Sequence, residues 1–400
     1  MLMPHRDGSS YHLTYCSNIH KGESLPEVMA NLRCHIPEIR AALKHHSAFG
    51  IGLRLSAQAA SELAEETAMH ELSQILQQQQ AYIFTINGFP YGPFHGTRVK
   101  EDVYLPDWKD PERLRYTNQL ADLLVELLPD GQTGSISTVP GAFKSCVNGE
   151  QDIQRMTDLL VSHCAHLVRL QRATGKLIVL ALEPEPCCFL ETIEESVEFF
   201  TRHLFSESAA LSLGEAVNVD VADAQKLLRR HLTLCLDLCH AAVEFEHADQ
   251  CFDRLQEAGI EIGKLQISAG LQLQNVTTAS AELLKPFFDD VYLHQVVERQ
   301  GEHINRYVDL PDAFAKLNDD QPPREWRVHF HVPVFLDNLG DFSSTQFFVR
   351  DALAHHKNKS LSQHLEVETY TWDVLPENYK KLSLNDAIAQ ELDWVQGELQ

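Results

Sequence analysis

At 400 residues, 44% hydrophobic and 22% charged, the chain has the composition of a globular protein able to bury one large α/β domain or two ordinary ones. A formal charge of -24 with no run of Lys or Arg repels a phosphate backbone, so no nucleic-acid partner is expected. No window approaches the about 20 apolar residues of a membrane span, the first residues lack a signal-peptide core, and nine scattered cysteines without a C-x-x-C pair fit reduced thiols, so a cytoplasmic protein with no direct membrane insertion is expected.

In chain order, strand-like runs fall at 12–18, 50–56, 81–88, 134–141, 176–186, 232–240, 263–270, 290–298, 326–335 and 364–372. Amphipathic stretches of helical length lie between them, such as "SLPEVMANLRCHIPEIRAAL" and "DIQRMTDLLVSHCAHLVRLQRATG", the second ending on Gly175 as a C-cap. Strand–helix alternation repeated this often, with no Pro-, Ser- or charge-rich linker, predicts a single parallel α/β domain over 1–400. About eight βα units in a chain of this size predict a TIM (β/α)8 barrel. Ten candidate strands are two too many, and the pair at 290–298 and 326–335 is expected to be a late strand insertion between strands six and eight. The rival, an open doubly wound sheet, lacks a G-x-G-x-x-G after the first strand.

Side-chain alternation assigns faces. In "LCLDLCH" (234–240) the leucines Leu234, Leu236 and Leu238 oppose Cys235, Asp237 and Cys239. Ile178, Leu180 and Leu182 oppose Glu183; Leu365 and Val367 oppose Glu366, Glu368 and Tyr370; Leu265 and Ile267 oppose Gln266 and Ser268; Ile51, Leu53 and Leu55 oppose Gly52, Arg54 and Ser56. In a barrel the apolar face meets the helices and the other points into the lumen. The polar residues gather at the C-terminal strand ends, where TIM-barrel active sites are built. Buried polar positions cost free energy unless paired or metal-bound. The candidate constellation is therefore Glu183, Asp237 with His240, Gln266, His294, His331 and Glu368, suited to a divalent ion such as Mn, Mg, Zn, Co or Fe. Glu366 is the rival of Glu368, and His329 the rival of His331. A helix cap is the alternative role for Asp237. Cys235 and the trio Cys34, Cys187 and Cys188 read as core filler, Cys239 as a pocket wall, and the helical His163, His166, His355 and His356 as surface residues.

The stretch "FTINGFPYGPFHGTRVKEDVYLPDW" (84–108) is too long for an ordinary βα turn. It reads as a loop over the barrel mouth, with Asn87, His95, Arg98 and Lys100 as polar contacts and Phe89, Tyr91 and Phe94 as walls. Arg54, Arg98 and Lys100 are expected to meet a phosphate or carboxylate.

The D-x-x-H of "CLDLCH", "LALEPEP" before it and a late "EVET" resemble the xylose-isomerase-like TIM-barrel superfamily, which includes sugar-phosphate isomerases and epimerases and endonuclease IV. More narrowly, "HLTYCSNIHKGES", the 84–108 stretch, "STVPGAFK", "LHQVV", "HFHVPVF" and "HLEVETYTWDVLP" resemble the EboE family, TIM-barrel metabolite-traffic proteins of the bacterial ebo cluster. That resemblance implies a metal-dependent, isomerase-like barrel handling a secondary-metabolite precursor, with other ebo-cluster proteins as partners. It places metal ligands at Glu183, Asp237 and Glu368, with the strand-seven ligand at Gln266 if "LQIS" is strand seven, or at His331 if "HFHVP" is. His240 matches the histidine of D-x-x-H.

The function expected from these readings is a metal-dependent sugar-phosphate isomerase or epimerase acting on a small polar or anionic metabolite. Glu183, Glu368 and His240 would be its catalytic groups, and Arg54, Asn87, His95, Arg98 and His294 would touch substrate. A non-catalytic carrier with the same barrel is the alternative. A hydrolase like endonuclease IV would need a basic rim that the sequence lacks.

Overall fold

The computed structural model describes residues 1–95, 98–288, 291–320, 322–377 and 380–400. Its strands are β1 (Leu2–Pro4), β2 (Ser10–Tyr15), β3 (Phe49–Arg54), β4 (Ala81–Asn87), β5 (Gly134–Thr138), β6 (Ile178–Leu182), β7 (Leu232–Asp237), β8 (Ile262–Ile267), β9 (Ala269–Leu273), β10 (Val296–Gln300), β11 (His303–Tyr307), β12 (Glu325–Val332), β13 (Ser343–Ser344) and β14 (His364–Val367). Eight of them run parallel in the order β2-β14-β8-β7-β6-β5-β4-β3, with β1 antiparallel on the outer edge of β2. The ring all but closes where β2 meets β3, through a parallel bridge between Cys16 and Gly52 and a 2.7 Å bond from Thr14 Oγ1 to the Gly50 carbonyl. The result is an α/β barrel.

The alternation explains its packing. Leu234, Leu236, Leu180, Leu182, Leu265 and Leu365 join the apolar core between sheet and helices. The opposite positions fill the lumen. Gly52 is needed there: a Cβ on it would lie 1.8 Å from Glu366 Oε1, so only glycine lets that carboxylate cross the lumen. The helices follow local signals. Leu25–Ala42 starts on a Ser24/Glu27 capping box, and Glu150–Thr174 ends at Gly175 with φ +75°.

Some expectations need correction. The run at 232–240 is a strand only to Asp237, and Leu238–Val243 is a short helix. Cys239 therefore leaves the strand alternation and packs with Val243, Phe245 and Val297. His163 and His356 are buried, not at the surface, because they lie on the inward faces of amphipathic helices. His163 bonds Asn118 Oδ1 at 2.6 Å. Cys34 is exposed rather than core, since its helix turns that position outward.

Between β8 and β14 in the chain lies a second, antiparallel sheet of order β11-β10-β12-β9-β13. The runs at 290–298 and 326–335 supply β10 and β12; the first residue of the former lies outside the described residues. Single-residue separation hides β9 behind β8, and β11 is too polar to read as a strand. Because β8 pairs with both β7 and β14, the seventh barrel strand carries Gln266. His329 and His331 sit instead on β12.

Candidate active site

At the C-terminal ends of β6, β7, β8 and β14 the lumen holds Glu183, Asp237, Gln266 and Glu368, all buried. Donor atoms of Glu183, Asp237 and Glu368 all lie within 4.8 Å of one another. Asp237 has two duties. Its Oδ1 caps the helix at 238–243 by accepting from the His240 backbone N–H at 3.0 Å and from Ser268 Oγ at 2.7 Å. Its Oδ2 has no partner, and neither do Glu183 Oε2 or either polar atom of the Gln266 amide. The cap reading and the ligand reading of Asp237 thus apply to different oxygens. Glu368 is held from one side, its Oε1 accepting from Asn18 Nδ2 at 2.7 Å and Asn87 Nδ2 at 2.9 Å.

Crowding shifts the acids. Burial, then the neighbouring Glu368 and Asp237, pushes the Glu183 carboxyl well above its ordinary range. Burial, then Asp237 and Glu366, pushes Glu368 up to about 8. One layer deeper, Lys264 is ion-paired with Glu366, both fully buried. Burial works against the Lys264 charge, yet the paired Glu366 carboxylate holds the ammonium above its ordinary value.

On the side facing the second sheet, three imidazoles meet: His240, His329 and His331. Nε2 of His329 lies 3.0 Å from that of His240 and 3.3 Å from that of His331. Burial and the surrounding imidazoles lower the His329 pKa well below normal; for His331, burial prevails over the nearby Asp237 and the value falls to about 4. Both rings are neutral at physiological pH. Beside the cluster, Phe89, Phe94, Tyr104, Tyr292 and Tyr370 line a cavity of about 60 Å³, room for several waters or a small ligand. A larger cavity of about 880 Å³ opens at the N-terminal strand ends, lined by Thr133, Val179, Thr233 and Gly263 among others. It lacks the acid and imidazole cluster, so the chemistry belongs to the smaller one.

No protein-family model and no curated protein matches the chain. Among solved structures, a xylose isomerase-like TIM-barrel protein from Mycobacterium smegmatis, crystallised with magnesium, is 12% identical over 97% of this chain and 96% of its own, with a TM-score of 0.50. The likeness shows the fold, an α/β TIM barrel. A sugar phosphate isomerase/epimerase, so described, from Anabaena variabilis is 8% identical over 98% of this chain and 99% of its own at a TM-score of 0.48. The zinc-bound IolI protein is 12% identical over 97% of each chain at 0.45.

Within this barrel the expected residues divide. Glu183, Asp237, Gln266, Glu368, His240 and His331 are brought together, and Asn87 joins them through Glu368. Arg54 is committed elsewhere: it pairs with Glu23 at 2.9 Å and donates to the Gly22 and Gly92 carbonyls. Lys100 reaches the cavity but donates to Asp309 Oδ2 at 2.7 Å and the Tyr292 carbonyl at 2.6 Å. Arg98 is exposed. His95 packs edge-on against Phe94, and His294 is buried behind β12 against Phe330; neither lines the cavity. Asn18, Glu185, Lys264 and Gln295 went unread. Lys264 alone carried a signal, two residues before Gln266 on the lumen side of the same strand.

Proposed function

We propose that this chain is a divalent-metal-dependent isomerase or epimerase acting on a small polar metabolite at the mouth of its barrel. The domain would span the whole chain, with the second sheet inserted after the seventh barrel strand. One observation carries the reading: Glu183, Asp237 and Glu368 converge, with unbonded oxygens on Glu183 and Asp237, beside a Gln266 amide that also lacks partners. Three acids this close repel one another unless a cation joins them, and oxygen donors suit a hard or borderline divalent ion. Glu183, Asp237, Gln266 and Glu368 would hold it. When bound, such an ion polarises a vicinal hydroxyl and carbonyl of the substrate.

The protein's own groups supply the rest. Asn18 and Asn87 fix the orientation of Glu368. Glu183, with one oxygen unbonded, is the group to take a proton from a substrate carbon and return it. The aromatic lining excludes water from that carbon. Because Arg54 and Lys100 are both ion-paired, the site favours a neutral polyol or hydroxy-carbonyl compound over a phosphorylated one. The EboE resemblance extends the proposal to processing or traffic of a secondary-metabolite precursor alongside other ebo-cluster proteins.

The test is solvent-hydrogen exchange. Metal-loaded protein incubated in D2O with a panel of ketoses, aldoses and inositols should place deuterium on one substrate carbon, and Glu183→Gln or Glu368→Gln should reduce the rate at least about 100-fold. Exchange that survives removal of the metal would overturn the proposal.

A further inference from the structure

The N-terminal end of the barrel is filled on one side only. His12 of β2, Phe84 of β4 and His364 of β14 pack ring to ring there, with centroids 4.4 to 5.7 Å apart. His12 is fixed further by Tyr82 Oη and Gln132 Oε1, each 2.9 Å from one of its nitrogens. Across the lumen, the second positions of β6, β7 and β8 are Val179, Thr233 and Gly263. These three crowd one another: a Cβ on Gly263 would lie 2.1 Å from Thr233 Oγ1 and 3.1 Å from Val179 Cγ2. A barrel plugged at this end carries bulky branched side chains at such positions. Val, Thr and Gly in succession leave the basal cavity of about 880 Å³, well inside the size range of small-molecule sites.

This cavity is separate from the barrel mouth. The two share no lining residue, and on β14 the buried Glu366–Lys264 pair stands between them, with His364 lining the lower cavity and Glu368 the upper. Its walls are largely apolar, with Leu177, Val179 and Ile262 from the strands, Phe252 from the helix at 248–258, and Leu361. Most inner polar groups are taken: Thr233 Oγ1 donates to the Leu180 carbonyl at 2.8 Å and Ser362 Oγ to the His364 carbonyl at 3.3 Å. His364 is the exception. The ring is 2% exposed, its Nδ1 lies 2.7 Å from Ser135 Oγ, and its Nε2 has no partner. An unbonded nitrogen in an apolar wall is costly. A hydroxyl both donates and accepts, so it satisfies that nitrogen in either tautomer of the ring. The rim carries Arg230 and Lys359 together with Asp253 and Glu261, and so favours neither sign of charge.

We propose that the basal cavity binds an uncharged, amphipathic ring compound carrying a hydroxyl group. Its rings lie against Val179, Ile262 and Phe252, and its hydroxyl meets His364 Nε2. The proposal stands on residues that the isomerase centre does not use, and it requires no metal.

Isothermal titration of the purified full chain tests it with 2-naphthol and with naphthalene, the same rings without the hydroxyl. One 2-naphthol should bind per chain, about fivefold more tightly than naphthalene, the worth of one hydrogen bond. His364→Phe should bind both compounds equally, and Val179→Trp, which fills the space, should bind neither. Wild-type crystals soaked in 6-bromo-2-naphthol need no variant, and the anomalous bromine peak should lie beside Val179 and Phe252. No saturable 2-naphthol binding below about 1 mM, a bromine peak found only elsewhere, or a full preference for 2-naphthol in folded His364→Phe would each overturn the proposal.

Discussion

Two layers of the barrel lumen, one strand residue-pair apart, treat buried acids in opposite ways. In the lower layer Glu366 is neutralised by Lys264, a cation the chain itself provides. In the upper layer Glu183, Asp237 and Glu368 share a site where the nearest internal cation is that same, already committed, lysine. The fold is evidently able to place an ammonium against a buried carboxylate. Withholding one from the upper layer leaves a charge deficit that a ligand must fill, which is the mark of a site and not of a core.

The contrast can be broken most severely from below. Lys264→Met strands Glu366 in the core and should cost about 3–5 kcal/mol, with Lys264→Met/Glu366→Leu recovering most of it. Urea unfolding of both variants measures this, and a single variant as stable as wild type would remove the lower half of the comparison. An intermediate case is Glu391, a buried acid with neither cation nor rival acid. It accepts from Thr369 Oγ1 at 2.6 Å and the Val334 N–H at 3.0 Å, and burial raises it to about 7. In the unfolded chain this acid loses its proton near pH 4.5, in the folded chain near 7. The unfolded state therefore binds fewer protons in that window. Glu391's contribution is fully present below about 4.5 and is lost as pH rises through about 7. Relative to Glu391→Gln, the wild type should lose on the order of 3 kcal/mol across the window and then level off. A difference that stays flat from pH 5 to 8 would refute this. The smallest effect, and of opposite sign, belongs above. In metal-stripped protein Glu183→Gln relieves repulsion, so melting should be unchanged or shifted upward by about 1 kcal/mol in stability. A loss of several kcal/mol there would mean that the upper acids are already satisfied.

Period-two alternation made the barrel and its inward acids readable, because both depend on residues adjacent in the chain. Glu183, Asp237, Gln266 and Glu368 each announce themselves within a single strand. What alternation could not supply was pairing between distant segments. Arg54 reads as a free inward cation until Glu23 is seen to claim it, and nothing near Lys264 in the chain points to its partner Glu366, 102 positions on. The imidazole cluster joins His240 to His329, 89 positions away, so no local pattern could announce it. His163 and Cys34 were misplaced for another reason: one helix turn separates the buried face from the exposed one, and their types suit either.

Only Ser268 separates β8 from β9, and its hydroxyl is bonded to Asp237. The second sheet is thus joined to the barrel by a one-residue connection and tied to it again where Arg327 donates to the Ala242 carbonyl and His331 Nδ1 meets the Glu368 carbonyl, with no slack for a swinging motion. The floor of the barrel and the histidine wall are thereby held in one fixed relation, as a single template.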